Sequence, residues 1–290
     1  MKDLQKICVL GMGLLGSSVS MSVLRSMPRV KVVGYSHRRS TRQKARRLEA
    51  ASQIASTLAE AVKDADLVIL ATPIQTFEQI FCQIAPFVKP GAVITDVGST
   101  KALVHRWASK NLPRSVYFAG SHPIAGSEKR GVEFARDDLL SGARCILTST
   151  ASTNRSALAM LRRFWTALGC RVEVMTPARH DRIFAMVSHL PHITAAALIN
   201  ANNLNDLKCA GRGFMDASRI ASGPENVWAD ILLTNRKNCE KGIALLIREL
   251  NKARSALRTG EQKKVENLLS RARAKRDVLI RYKMRKGELF

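Results

Sequence analysis

Through residue 175 the chain alternates short, continuous apolar runs with segments of helical spacing. The strand candidates are Lys6–Leu10, Lys31–Tyr35, Leu67–Ala71, Ala92–Val97, Val116–Ala119, Arg144–Ser149 and Arg171–Met175. Because these runs are continuous rather than alternating, they predict strands buried on both faces. Leu14–Ser26, Thr41–Ala50, Thr76–Pro86, Lys101–Ser109 and Ala151–Gly169 read as the helices between them. Such alternation implies βαβ units and a parallel sheet. After Met175 the pattern changes. Thr176–Asn203 is apolar nearly all round, which predicts a helix buried in a bundle or a dimer interface. Pro224–Arg258 and Glu261–Lys286 continue as helices, broken at Thr259-Gly260, and no strand-like run follows Met175. The expected fold class is α/β: a mostly parallel sheet domain over residues 1–175, then an all-helical substrate and dimerisation domain over residues 176–290.

Composition narrows the class. A content of 46% hydrophobic and 24% charged residues suits a soluble globular chain of 290 residues. The purely apolar runs, such as Leu67–Ala71, stop well short of the roughly 20 residues that span a bilayer. The start of the chain does not read as a signal peptide, so no membrane association and a cytoplasmic location are expected. The six cysteines (Cys8, Cys82, Cys145, Cys170, Cys209 and Cys239) are scattered, without paired or metal-finger spacing. They read as reduced structural thiols, and no metal site is expected.

Charge adds one question. The net charge is +24, and Arg236–Phe290 alone holds 17 Lys or Arg against 6 Asp or Glu. Such a field attracts anions, nucleic acid among them. Yet no helix-turn-helix, finger or aromatic-basic strand pattern is present, and only 5% of residues are aromatic. Dedicated nucleic-acid binding is therefore not expected. A nucleotide-sensing or nucleic-acid-binding protein stands as the alternative from a different class.

The chemistry begins at Gly11, Gly13 and Gly16, a G-x-G-x-x-G that follows a strand and opens a helix. In a Rossmann-type domain the first glycine permits the tight turn, the second lets the backbone approach a pyrophosphate, and the third allows close helix–strand packing. Met12, Leu14 and Leu15 complete the loop, whose free N–H groups sit at a helix N-terminus. At the end of the second strand an NAD site usually has an acid for the ribose 2′-hydroxyl. This chain has Ser36, Arg38 and Arg39 instead, which suit a 2′-phosphate, so NADP is expected over NAD. Thr72 and Pro73, after the next apolar strand, are expected against the cofactor.

Two further clusters end strand-like segments: Asp96-Val97-Gly98-Ser99-Thr100-Lys101, and Gly120 to Glu128 in GSHPIAGSE. His122 is placed on a turn there, where a histidine can act as general base near neutrality. The pieces VLGMGLLGSS, ATPIQ, DVGSTK, GSHPIAGSEKRG, VSHLPH and DASRIASGPENVWADI, spread over about residues 6 to 235, resemble the prephenate/arogenate (cyclohexadienyl) dehydrogenase family of tyrosine biosynthesis. That resemblance implies NAD(P)-linked oxidation of a small anionic substrate with loss of CO2, giving 4-hydroxyphenylpyruvate from prephenate or tyrosine from arogenate. It also implies a homodimer formed through the helical domain.

By the same resemblance His122 is the catalytic histidine, and Ser99 hydrogen-bonds it beside the nicotinamide. Glu128 and His192 match active-site positions. Arg219 matches the arginine that binds a substrate carboxylate, with Asp216 one helical turn before it. Ser127 is neutral where an arogenate enzyme would want an acid for the amine, so prephenate is favoured, with an arogenate-specific enzyme as the alternative. Ala229 departs from the arginine often found after the tryptophan. His189 and Trp228 read as packing residues, and His105 and His180 as incidental.

Overall fold

The computed structural model describes residues 4–125 and 129–287. The chain divides into two compact units, Met1–Cys239 and Glu240–Phe290. The first unit opens with β1 (Lys6–Leu10), α1 (Leu14–Ser26), β2 (Lys31–Tyr35), α2 (Arg39–Arg47), β3 (Gln53–Ile54), α3 (Leu58–Val62) and β4 (Leu67–Leu70). A short 3₁₀ turn (Ile74–Thr76) leads to α4 (Phe77–Ile84), β5 (Val93–Asp96), α5 (Ala102–Asn111) and β6 (Tyr117–Phe118). The six strands are all parallel, in the order β3-β2-β1-β4-β5-β6. This is the order of a doubly wound dinucleotide fold. Four residues of β1 and all four of β4 are completely buried, as their unbroken apolar runs predict. Leu10 pairs with Tyr35 and Leu70, and Leu70 pairs with Asp96. That register brings Gly11, Ala71 and Val97 to one carboxyl edge of the sheet.

A second sheet corrects the single-sheet expectation. β7 (Gly120–Ile124), β8 (Arg144–Thr148) and β9 (Arg171–Met175) form it, with β7 antiparallel to β8 and β8 parallel to β9. α6 (Arg155–Ala167) connects β8 and β9, capped by Asn154, whose side chain accepts from the Ala157 amide. The segment GSHPI reads as a turn because Gly, Ser and Pro dominate it and carry little strand propensity. It is a strand nonetheless, and His122 lies within it, paired with Ile146. β3, only two residues long, is too short for any periodicity to mark.

α7 (Pro177–Phe184), a π turn (Ala185–His189) and α8 (Leu190–Asn200) stack into one helical segment. Pro191 explains the π turn, since a proline in a regular α-helix removes a donor and clashes with the carbonyl four residues earlier. Pro177–Asn200, 24 residues long, contains an 18-residue window of mean hydropathy 1.3, so by length and composition alone it could cross a membrane. Isolated polar residues interrupt it, so no unbroken apolar run marks that length. Several of those polar residues are tied into the protein, as described below.

α9 (Leu204–Leu207), α10 (Arg212–Ser218) and a 3₁₀ turn (Arg219–Ser222) lie outside the elements that periodicity predicts. They precede α11 (Glu225–Thr234). The helix expected from Pro224 to Arg258 breaks at Asn235, where φ is −117° and ψ is 23°. Its buried side-chain amide donates instead to the Asp181 carbonyl at 2.8 Å and to His189 Nδ1 at 3.2 Å. α12 (Arg236–Thr259) follows, then Gly260 at φ +64°, then α13 (Gln262–Arg285). Gly260 is the expected left-handed break between the last two helices.

Candidate active site

The glycine-rich loop is built as its spacing requires. Gly11 has φ +108°, and a Cβ there would lie 2.5 Å from the Ala71 carbonyl oxygen. A Cβ on Gly16 would lie 1.9 Å from the Gly11 oxygen, so helix and loop pack backbone on backbone. Gly13 differs: a Cβ added there would meet nothing within 4 Å. It caps α1 without a side-chain hydrogen bond, so open space meets unsatisfied helix N–H groups. This cradle fits a pyrophosphate. The Met12 side chain turns inward, fully buried against Gly34, so only its backbone faces the loop.

At the end of β2, Ser36 is buried, while Arg38 and Arg39 are exposed and pair with no acid among the described residues. Arg42, which sequence reading misses, donates to the Ser36 and His37 carbonyls at 2.6 and 3.0 Å and lies over the Tyr35 ring. It shapes the loop that presents the two arginines. The run Ser36-His37-Arg38-Arg39 offers no carboxylate to a ribose 2′-hydroxyl.

Along the carboxyl edge lies a cavity of about 280 Å³ lined by Leu15, Thr72, Pro73, Ser99, Val227 and Asp230, with apolar neighbours. It brings together Thr72 and Pro73 after β4, Ser99 after β5, Leu15 of α1, and residues of α11. A larger concavity of about 670 Å³ runs along α5 past His105, Arg106 and Arg114. None of the sequence-predicted site residues lines it, so the chemistry, and not the volume, locates the site.

A buried hydrogen-bonded chain starts on β7, which packs beside β5. His122 Nδ1 and His180 Nε2 lie 2.8 Å apart, and His180 Nδ1 lies 2.8 Å from Asp181 Oδ1. Phe184 stacks on His180 at 4.4 Å and tilts against His122 at 4.9 Å. The Asp181 carboxylate accepts only, so His180 donates from Nδ1 and keeps its Nε2 lone pair. That lone pair must receive the Nδ1 proton of His122, which leaves Nε2 of His122 as the basic nitrogen. Burial pushes His122 well below its ordinary value of 6.5, and His180, Lys101 and His189 push in the same direction. Burial likewise lowers His180 and holds His105 and His189 down to about 4.

The frame beneath this chain is charged. Lys101 and Asp96 form a fully buried ion pair. Asp96 also accepts from the amides of Gly98 at 2.9 Å and Ser121 at 3.2 Å. Complete burial disfavours the Asp96 carboxylate, and the Lys101 ammonium with those amides opposes it. Asp181 accepts from the backbone amides of Lys101 and Ala102, both at 2.8 Å, and so caps α5 from α7. Ser121 is held by Thr95 at 2.6 Å and Trp165 at 2.9 Å. His180 is thus central, not incidental, and sequence reading also misses the roles of Asp181 and Lys101. The available signal is the adjacent His180 and Asp181 near the start of the segment Thr176–Asn203.

Ser99 is half-buried and lines the cavity, but it makes no hydrogen bond to His122. The partner that orients His122 is His180, a correction to the expected Ser99 contact. His192 stacks on Trp228 at 3.6 Å and 11°, and Gly223 leaves room for both rings. The buried Nδ1 of His192 has no hydrogen-bond partner among the described residues. Burial lowers its pKa, so the ring is neutral near pH 7. Arg219 is exposed and opens the 3₁₀ turn packed on α8. Asp216 does not line the cavity; it faces solvent beside Arg212, 3.9 Å away on the same helix. Ser127 and Glu128 lie outside the described residues.

Known proteins share this fold. Residues 19–174 match the family model "Prephenate dehydrogenase, nucleotide-binding domain", and residues 176–271 match "Prephenate dehydrogenase, dimerization domain". The cyclohexadienyl dehydrogenase of Zymomonas mobilis is 31% identical over 258 residues, covering 87% of this chain and 88% of that protein. The prephenate dehydrogenase of Bacillus subtilis is 34% identical over 278 residues, covering 92% and 73%. The crystal structure of prephenate dehydrogenase from A. aeolicus, in complex with hydroxyphenyl propionate and NAD+, superposes with a TM-score of 0.89 at 31% identity, covering 96% of this chain and 99% of that one.

Proposed function

The chain belongs to the prephenate dehydrogenase family, and from that premise we propose that it oxidatively decarboxylates prephenate to 4-hydroxyphenylpyruvate, and arogenate to tyrosine as a secondary reaction. The observation that carries this reading is the His122–His180–Asp181 chain, which leaves one basic nitrogen, His122 Nε2, in a protein that also holds a dinucleotide cradle. A bound nicotinamide dinucleotide supplies the two-electron acceptor for the substrate's ring hydrogen. His122 Nε2 takes the proton of the ring hydroxyl as the carbonyl forms. The positive charge that develops on His122 is shared through His180 toward Asp181. Loss of the ring carboxylate as CO2 returns its electron pair to the ring, and aromaticity makes the step favourable. Arg219 binds a substrate carboxylate and His192 belongs to the substrate-binding set, while Ser99 lies beside the nicotinamide. Glu128, Ser127 and Asp216 complete the proposed substrate-binding set.

NADP is the preferred cofactor in this reading, supported by Arg38, Arg39 and the absence of an acid at the end of β2. In this reading the domain boundary lies at Met175, supported by the end of the last strand there, although the compact units divide later, after Cys239. A homodimer through the helical part is supported by apolar side chains exposed on α8 and the π turn, Val187 at 65% among them. The six cysteines are all free, which suits a reducing, cytoplasmic setting.

The test is absorbance at 340 nm with prephenate or arogenate, each with NADP+ or NAD+. A rise with prephenate and NADP+ is expected. No rise in any of the four mixtures overturns the proposal.

A further inference from the structure

The cavity at the carboxyl edge has an unusual charge balance. Asp230 is the one ionisable residue in its lining, and no Lys, Arg or His shares the walls among the described residues. Leu15, Ala71, Pro73, Ile74, Val97 and Ile231 make the rest of the lining mostly apolar, with Thr72 and Ser99 the uncharged polar groups. Burial pushes the Asp230 carboxyl up, and one backbone hydrogen bond from Gln75 draws it down. Its position is fixed. Ile231 beside it is buried, α11 packs on the 3₁₀ turn Ile74–Thr76, and Thr234 one turn later receives the Thr100 hydroxyl at 2.9 Å. A partly buried carboxylate without a cation is stabilised by a ligand that brings one.

We propose that Asp230 makes this pocket prefer the oxidised, cationic nicotinamide over the reduced, neutral one. The inference rests on the reading that the cavity receives the nicotinamide ring. Oxidised cofactor then enters against an attractive charge. The reduced product loses that attraction as soon as its ring is neutral, which favours its release before the next turnover. The residue acts on binding, and the proton chemistry stays with His122.

The test is calorimetric titration of NADP+ and NADPH into wild type, Asp230→Asn and Val227→Trp, each first checked for native circular dichroism. Asp230→Asn is isosteric and removes only the charge. It is expected to weaken NADP+ by about tenfold, the scale of one screened charge pair, and to leave NADPH within about twofold. Equal weakening of both forms, or no change in either, overturns the role of Asp230. Val227→Trp fills the cavity and is expected to weaken both forms. If it leaves both affinities intact while Asp230→Asn is also silent, the pocket assignment itself has failed, and the charge argument falls with it.

Discussion

His122 and His180 share one proton across 2.8 Å, and Asp181 decides which ring holds it. The carboxylate fixes the tautomer of His180, and His180 fixes that of His122. The same carboxylate is anchored by the amides of Lys101 and Ala102 at the start of α5, so the base is oriented by the segment that also carries Ser99.

Breaking that chain should change turnover more than binding. His180→Phe keeps an aromatic ring against Phe184 but removes the acceptor for His122 Nδ1. Asp181→Asn leaves the shape and removes the charge. Each is expected to lower kcat by about 10- to 100-fold, the range for losing a supporting hydrogen bond to a functional imidazole, with KM for substrate nearly unchanged. Steady-state kinetics with equal loss in both variants and an unchanged KM would support the relay. A purely raised KM would remove it.

The pH profile gives a second reading of the same base. His122 works when neutral, and burial with neighbouring positive groups holds it well below 6.5. The base therefore stays free as pH falls through the ordinary imidazole range, and the acid limb of kcat/KM is expected below pH 6.5. A limb above that value contradicts His122 as the buried base.

Two glycines of one motif should fail in different ways. Gly16→Ala places a methyl 1.9 Å from the Gly11 oxygen, so the loop must shift and thermal stability should fall by several degrees. Gly13→Ala meets no protein atom within 4 Å, so its Tm should stay near wild type while dinucleotide affinity drops. Calorimetry with cofactor titration separates them. Equal loss of stability in both variants would mean that the space over Gly13 is not a ligand site.

The central sheet is legible in the sequence because β1, β2, β4 and β5 are continuous apolar runs, and G-x-G-x-x-G has meaning only after such a strand. β7 is not, since Gly120, Ser121 and Pro123 give no strand signal. Tertiary contacts, such as Ser121 with Thr95 and Trp165, hold it in place. The pairing of His180 with His122 is invisible for a related reason: the two are 58 residues apart, and local spacing says nothing of such a meeting. Trp228 does pack, as its sequence context predicts, but against His192, so packing and site coincide there. Asp230 lies inside the segment DASRIASGPENVWADI, yet its cavity is completed by strand ends more than 130 residues earlier.

The Lys101–Asp96 pair predicts a specific stability defect. Lys101→Met leaves Asp96 charged and buried, which should cost about 3–5 kcal/mol. Adding Asp96→Asn should recover part of it. In the single variant the deficit should shrink as pH falls, because protonation of Asp96 removes the unpaired charge. Urea midpoints at two pH values check this, and a deficit that grows on acidification would be inconsistent with the pair's role.

Arg38 and Arg39 project from the end of β2 with no acidic partner among the described residues, so their removal should leave the fold intact. A charged hydrogen bond contributes roughly 1.5–3 kcal/mol. Replacing both arginines with alanine should therefore weaken NADP+ by at least about tenfold, the effect of losing one such bond, while NAD+, which lacks the 2′-phosphate, changes little. The outcome is read as a ratio of dissociation constants, so a general loss of folded protein cancels. Equal weakening of both cofactors would mean that the arginines contribute only to the overall positive field, and the preference for NADP would then have no structural basis at this position.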